Sequence, residues 1–292
     1  MKFNVGHEAS QMFKYIGLHV EQNCENITMH QNDYINSISD IDTSLEKYSR
    51  NSQELNAAET KSLRTMVGQL GWVSTQTRPD IAFDFLELST SLKSPTVENI
   101  KLAHKCMKKM KSQNVHLTFP DIGDISKSKL VVYCDASHAN LPDGVSSAQG
   151  HIVFLVGENE KSCPILWESK KIKRVVKSTL AAEALSLSEA IDSAEYVGFI
   201  LSEIVLRKST NVIPIECYVD NYSLFENLYS TKSVSEKRLR IDIASIKEKV
   251  QKENVSVKWI ESSKQISDCL TKRGANPYPL LNVIQTGILN KV

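Results

Sequence analysis

Apolar and polar residues alternate with period two over residues 12–20, which predicts a short strand, and a second strand over 26–30 would complete a hairpin. The period then lengthens. Tyr34, Ile35, Ile38, Ile41 and Leu45 recur at nearly helical spacing, so residues 31–45 read as a helix with one buried stripe. Residues 47–56 are polar and read as a loop or linker. Three helices follow. Residues 59–75 line up Leu63, Met66, Val67, Leu70 and Val73 on one face. The next helix opens at Arg78-Pro79-Asp80, where proline suits the first turn and Asp80 the positive end of the helix dipole, and runs through Leu92. The third starts at Ser94-Pro95 and reaches Lys111. Its stripe of Lys101, Lys105 and Lys108 fits a solvated helix face better than a nucleic-acid contact.

A turn-rich passage, Phe119-Pro120-Asp121-Ile122-Gly123-Asp124, marks a boundary. Beyond it the pattern predicts strands over 130–135, 148–156 and 163–168, joined as a meander. A helix capped by Ser178 or Thr179 follows, reaching residue 206. Next come a strand over 213–220, a short helix over 222–228, an amphipathic helix over 235–251 and a strand over 255–260. The last helix is expected over 263–272, and the apolar tail 280–289 is expected to pack back as a helix. This order implies an α/β fold, a mixed five-stranded sheet with flanking helices, preceded by a smaller, mainly helical α+β domain. The expected division is 1–120, 128–274 and a tail, 275–292.

Composition narrows the class. A chain of 292 residues, 41% hydrophobic and 24% charged, is that of a globular protein with sizeable cores. The net charge of +1 names no partner, so any basic surface is local. Six scattered cysteines without a Cys-x-x-Cys pair argue for reduced, buried thiols rather than a zinc site or a disulfide framework. No apolar run approaches a membrane span and the polar N-terminus lacks a signal core, so an intracellular location, cytoplasmic or nuclear, is expected.

Candidate chemistry lies in four acids. Strand 130–135 ends on Asp135, strand 213–220 ends on Asp220, Glu183 sits one turn into the long helix, and Asp268 lies after the last strand. If the first and fourth strands of the sheet are parallel neighbours, Asp135 and Asp220 stand side by side at its mouth, where α/β sites form. Gathered carboxylates raise one another's pKa unless a cation offsets the charge, and hard oxygen ligands suit Mg²⁺. Taken singly, an aspartate at a strand end is more often a turn or cap residue; the conjunction is what points to a metal site.

Six segments of the C-terminal part carry a resemblance. They are Cys134-Asp135-Ala136-Ser137-His138-Ala139-Asn140, Trp167-Glu168-Ser169-Lys170-Lys171, Ser178-Thr179-Leu180-Ala181-Ala182-Glu183, Tyr218-Val219-Asp220-Asn221, Lys237-Arg238-Leu239-Arg240-Ile241-Asp242-Ile243 and Ser267-Asp268-Cys269-Leu270-Thr271-Lys272. Together they resemble the ribonuclease H domain of copia-type retrotransposon Pol polyproteins. Phe13-Lys14-Tyr15-Ile16-Gly17-Leu18, Gly68-Gln69-Leu70 and Thr75-Gln76-Thr77-Arg78-Pro79-Asp80-Ile81-Ala82-Phe83 are similar to the connecting region of the reverse transcriptase in the same polyproteins.

The resemblance implies cleavage of the RNA strand of an RNA–DNA hybrid, with two Mg²⁺ ions, or Mn²⁺, held by Asp135, Glu183, Asp220 and Asp268. Asp135 would bridge the two ions. It also implies the hybrid and the rest of a Pol polyprotein as partners, and neither a membrane nor a small organic cofactor. Asn221 becomes a candidate for the substrate sugar. Lys170, Lys171, Lys173, Arg174, Lys237, Arg238 and Arg240 become candidates for the phosphate backbone, with ordinary surface charge as the other reading. The sequence departs from the pattern in two ways. It lacks the polymerase Tyr-x-Asp-Asp motif, so no polymerase activity is expected. Many cellular ribonucleases H carry a histidine before the last acid, and residues 230–268 contain none. His138 is read as a loop residue rather than its replacement. Two other readings stay open: a catalytically silent nucleic-acid-binding remnant, and another two-metal nuclease or integrase on the same fold.

Overall fold

The computed structural model describes residues 11–41, 52–230, 234, 236–252 and 254–290. It opens with a four-stranded antiparallel sheet, β1 (Met12–Tyr15), β2 (Leu18–Gln22), β3 (Asn26–His30) and, much later in the chain, β4 (Leu117–Pro120), in that order. The single strand expected over 12–20 is therefore a hairpin. Ile16 and Gly17 both take positive φ (51° and 79°), the two-residue turn whose twist matches paired strands. The helix expected over 31–45 is shorter, α1 (Asn32–Ser37). Ile38 and Ile41 are still buried, but beyond the end of the helix, and residues 42–51, including the first half of the expected loop, lie outside the described residues.

Between β3 and β4 lie α2 (Ala57–Gln76), α3 (Ala82–Ser91) and α4 (Val97–Ser112). Asn56 and Glu59 close a capping box on α2, each side chain bonding the other's backbone N–H. Before α3 the chain makes a single 3₁₀ turn, Pro79–Ile81. Asp80 does more there than meet a helix dipole. Arg78 and Asp80, both buried, pair through two hydrogen bonds of 2.8 and 2.9 Å, while Arg78 Nη1 also donates to the carbonyl oxygens of Met110 and Gln113. This ties the start of α3 to the end of α4. Leu63, Leu70, Ile81, Leu88, Ile100 and Met107 form the core of this unit.

The second sheet has five strands in the order β7-β6-β5-β8-β9: β5 (Lys129–Ser137), β6 (Ala148–Val156), β7 (Ser162–Lys171), β8 (Ile215–Val219) and β9 (Val255–Trp259). The first three form an antiparallel meander, and β8 and β9 add in parallel to β5. This is the mixed five-stranded sheet with flanking helices that the pattern called for. Along β5, Leu130, Val132 and Cys134 face one core and Val131 and Tyr133 the other, so the strand reads as a nearly unbroken apolar run.

One face of the sheet is covered by α5 (Thr179–Ile204), α6 (Tyr222–Tyr229) and α7 (Lys237–Lys252). Ser178 is the cap of α5, its hydroxyl accepting from the N–H of Ala181. The other face is covered by chain from 260 onward and by α8 (Tyr278–Thr286). The helix expected over 263–272 is absent. Two 3₁₀ turns, Ser262–Lys264 and Asp268–Leu270, stand in its place. Gln265 is the physical reason: its Nε2 donates to the carbonyl of Cys134 on β5 and its Oε1 accepts from the Ser267 hydroxyl, which pins the backbone between the turns against the sheet.

The two sheets are joined. Strand β4 runs into the stretch expected to be pure junction, and α8 packs on it, with the Thr118 hydroxyl donating to the carbonyl of Gln285. Trp167 Nε1 on β7 donates to the carbonyl of Ser74 on α2.

Candidate metal centre

The register of β5 and β8 positions the first two acids. Tyr133 stands opposite Tyr218, their rings stacked with centroids 5.0 Å apart, and each aspartate lies two residues further on, on the same side of its strand. Asp135 is the seventh residue of β5 and fully buried; Asp220 comes directly after β8 and is half-exposed. Asp268 begins the 3₁₀ turn of the pinned segment. One carboxylate oxygen from each of Asp135, Asp220 and Asp268 lies within 4.8 Å of the other two.

Glu183 projects from the second turn of α5 and is 4% exposed. It lies outside that 4.8 Å group, yet near enough to feel the charges of both Asp135 and Asp220. The N–H of Ala136 supports it, and its Oε2 is buried without a hydrogen-bond partner. The Ser186 hydroxyl, one turn on, donates to the carbonyl of Asp135 at 2.7 Å and holds α5 to the strand.

Burial dominates the electrostatics. It pushes Asp135 up to about 6, against the pull of Lys272 and Thr271, while Asp268 and Asp220 push further. Burial also drives Glu183 well above the usual carboxylate range, with Asp135 and Asp220 adding to the rise. A group of acids in which protons persist to such pH lacks positive charge. An orphaned buried carboxylate oxygen and an all-oxygen donor set fit a hard divalent cation such as Mg²⁺ or Mn²⁺.

Four contributors escaped sequence reasoning. Thr271 Oγ1 donates to Asp135 Oδ2, Lys272 Nζ lies 3.3 Å from Asp135 Oδ1 and 2.7 Å from Asp268 Oδ1, and the Ser262 hydroxyl donates to Asp220 Oδ2 at 2.7 Å. Gly150 is the fourth. It stands opposite Asp135 on β6, and a Cβ there would lie 2.6 Å from Leu270 Cβ and 3.0 Å from Thr271 Cγ2. Glycine is what lets the segment bearing Asp268 lie against the sheet. A glycine inside a strand pattern is a known sign of close approach, and it was available in the sequence.

The remaining candidates stand apart from the acids or are already engaged. Asn221 caps α6, its side-chain oxygen accepting from the N–H of Leu224 at 2.9 Å, which fixes the side chain and leaves its NH₂ for a ligand. Lys170 is held between Glu168 and Glu189, at 2.5 and 2.6 Å. Lys171 pairs with Asp143 at 3.1 Å and Arg174 pairs with Asp242. Lys173, Lys237 and Arg238 are exposed, and Arg240 donates to the carbonyl of Val234. His138 Nε2 lies 3.1 Å from the carbonyl of Val176, a link between two loops that suits a structural histidine.

No protein-family model matches the chain. Among curated proteins it is 29% identical over 213 residues to the retrovirus-related Pol polyprotein from transposon RE1 of Arabidopsis thaliana, covering 72% of this chain and 14% of that protein. The corresponding polyprotein from transposon RE2 is 28% identical over the same length, again with 14% of its length covered. The transposon Ty5-1 protein of Saccharomyces cerevisiae is 28% identical over 192 residues, covering 61% of this chain and 60% of that protein. The chain thus spans about a seventh of the Arabidopsis polyproteins it matches. Solved structures that overlay on it include a ribonuclease H1 isolated from compost, 20% identical with a TM-score of 0.37, covering 49% of this chain and 92% of that one. A foamy viral protease–reverse transcriptase in complex with RNA/DNA hybrid overlays at 11% identity and a TM-score of 0.43, covering 86% of this chain and 29% of that one. The relatives of this chain are copia-type retrotransposon Pol polyproteins, to a segment of which it is similar over most of its length.

Proposed function

We propose that this chain is a metal-dependent endonuclease that cleaves the RNA strand of RNA–DNA hybrids, in the manner of a ribonuclease H. Residues 128–274 form the nuclease unit in this reading, residues 1–120 a remnant of the reverse transcriptase connecting region, and residues 275–292 a tail. The observation that carries it is the convergence of Asp135, Asp220 and Asp268 within 4.8 Å on a mixed sheet, with the orphaned oxygen of Glu183 beside them. Similarity to retrovirus-related Pol polyproteins supports this choice of substrate class.

Asp135, Asp220, Asp268 and Glu183 would hold two Mg²⁺ or Mn²⁺ ions. When bound, such ions lower the pKa of an attacking water and offset charge on the leaving oxygen. The protein's own part is orientation. Thr271 and Ser262 fix the rotamers of Asp135 and Asp220 by donating to them, Ser186 fixes the strand end against α5, and the pinned 265–268 segment brings Asp268 to meet them. Half-exposed Asp220 and Asp268 leave the centre open to a strand on one side, while Asp135 and Glu183 close it from below. Asn221 NH₂ is within one residue of Asp220 and is the proposed donor to the substrate sugar; Lys173, Lys237 and Arg238 are the basic side chains proposed for the phosphate backbone. The partners are the hybrid and the rest of a Pol polyprotein.

The test uses an end-labelled hybrid with Mg²⁺ or Mn²⁺. Cleavage of the RNA strand alone, abolished by Asp135→Asn, is expected. Hybrid binding without metal-dependent cleavage would instead identify a silent nucleic-acid-binding remnant.

A further inference from the structure

The segment that delivers Asp268 also delivers a cation. Lys272 Nζ lies 2.7 Å from Asp268 Oδ1 and 3.3 Å from Asp135 Oδ1, and Thr271 takes the other oxygen of Asp135. Both oxygens of the buried aspartate are therefore engaged by two consecutive residues. An ammonium and a divalent ion draw on the same lone pairs, so they compete for this place. The Lys272 side chain is 40% exposed and carries its charge on a flexible four-carbon stem, so its head can swing out to solvent without moving the backbone.

We infer that Lys272 is a built-in counter-cation of the acid cluster, holding the carboxylates together in the metal-free protein and giving way when a divalent ion enters. The inference rests on the reading of the cluster as a metal centre and deepens it. Lys272 acts as a positioning residue with two opposed effects. It stabilises the metal-free fold, because three neighbouring carboxylates repel one another without it. It also weakens metal affinity, because every ion that binds must first break its contacts with Asp135 and Asp268. The same segment thereby supplies a ligand, a hydrogen-bond donor and a stand-in charge, which keeps the site shaped for an ion before one arrives.

Two measurements on the full chain test this. In the first, calorimetric titration with Mn²⁺ and with Mg²⁺ compares the wild type with Lys272→Met and Lys272→Arg. Lys272→Met is expected to bind the ion about tenfold tighter or more, the factor set by one pKa unit's worth of charge interaction, and Lys272→Arg to stay near the wild type. Unchanged or weaker binding in a folded Lys272→Met overturns the inference. In the second, thermal unfolding is followed in EDTA. Lys272→Met is expected to melt below the wild type, and Asp268→Asn added to it is expected to restore part of the loss. Equal melting of the wild type and Lys272→Met overturns the inference. A wild type that takes up no ion refutes the metal-centre reading, and the melting comparison then still decides whether Lys272 is the counter-cation.

Discussion

Replacing Gly150 with alanine adds a single methyl group at the point where β6 meets the segment that carries Asp268. The new carbon would sit 2.6 Å from Leu270 Cβ, 3.0 Å from Thr271 Cγ2 and 3.1 Å from the carbonyl oxygen of Leu270. Carbon atoms settle at roughly 3.5–4.0 Å, so the segment must retreat by about 1 Å. Leu270 Cβ and the Leu270 carbonyl oxygen are fixed to the backbone, so the backbone itself has to move. That motion loosens the Thr271–Asp135 hydrogen bond and carries Asp268 away from its two partners. Overpacking of this kind costs about 1–3 kcal/mol of stability, and a misplacement near 1 Å costs on the order of a hundredfold in rate. Urea unfolding, metal titration and hybrid cleavage should all fall together in Gly150→Ala. Gly68→Ala is the control. Its added carbon meets nothing within 4 Å on α2, so a gain of about 0.5–1 kcal/mol with unchanged cleavage is expected. Wild-type metal affinity and cleavage in Gly150→Ala would refute the claim that this glycine seats the Asp268 segment.

Four further predictions follow from charge and burial. Divalent metal affinity should fall as pH drops through about 6, because burial holds the proton on Asp135 to that pH and on Glu183 well above the usual range; titration at pH 5 and pH 8 checks it. In EDTA the same two acids, raised in the fold, favour the folded state below their unfolded values near 4, and that contribution is lost as pH rises through their folded values; a pH series of melting temperatures reads it. Burial alone would raise Asp80, but Arg78 and Lys109 outweigh it and hold its carboxyl below the usual range, so its contribution is present above about pH 4 and is lost on acidification; Arg78→Met, which leaves that charge buried alone, should cost about 3–5 kcal/mol by urea unfolding. A thiol reagent should modify exposed Cys24 quickly in the native protein. Burial protects the other five cysteines and pushes Cys217 and Cys269 up to about 12, so rapid labelling of all six, read by mass spectrometry, would contradict the fold.

Strands β5, β6 and β8 were legible because their apolar runs are bounded by turn residues and buried on both sides. Asp135 and Asp220 were legible for the same reason, as each ends such a run. The 263–272 segment was misread as a helix because its spacing of Ile266, Cys269 and Leu270 fits a helical period. What overrides that period is a long-range bond, Gln265 to Cys134, which no local pattern encodes. Strand β4 was missed because four residues running into a turn carry little period-two signal, and its partner β3 lies far back in the chain. Lys170 looked like a phosphate ligand in a basic run, yet its two glutamates come from the same strand and from α5, visible only once the sheet is packed.

The joining of the first sheet through β4, and of β4 to α8, has a consequence for synthesis. β1–β3 emerge early, but the free edge of β3 waits for residues 117–120 and the outer side of β4 for residues 278–286. At roughly 5–20 residues per second, the interval between those two stretches lasts on the order of ten to thirty seconds. Until then β4 lacks the cover of α8, although β7, made earlier, already packs against it. Asp268 is likewise the last of the acids to be made, so an unfinished chain carries no complete cluster, and any metal-dependent cutting would begin only after synthesis has passed that point.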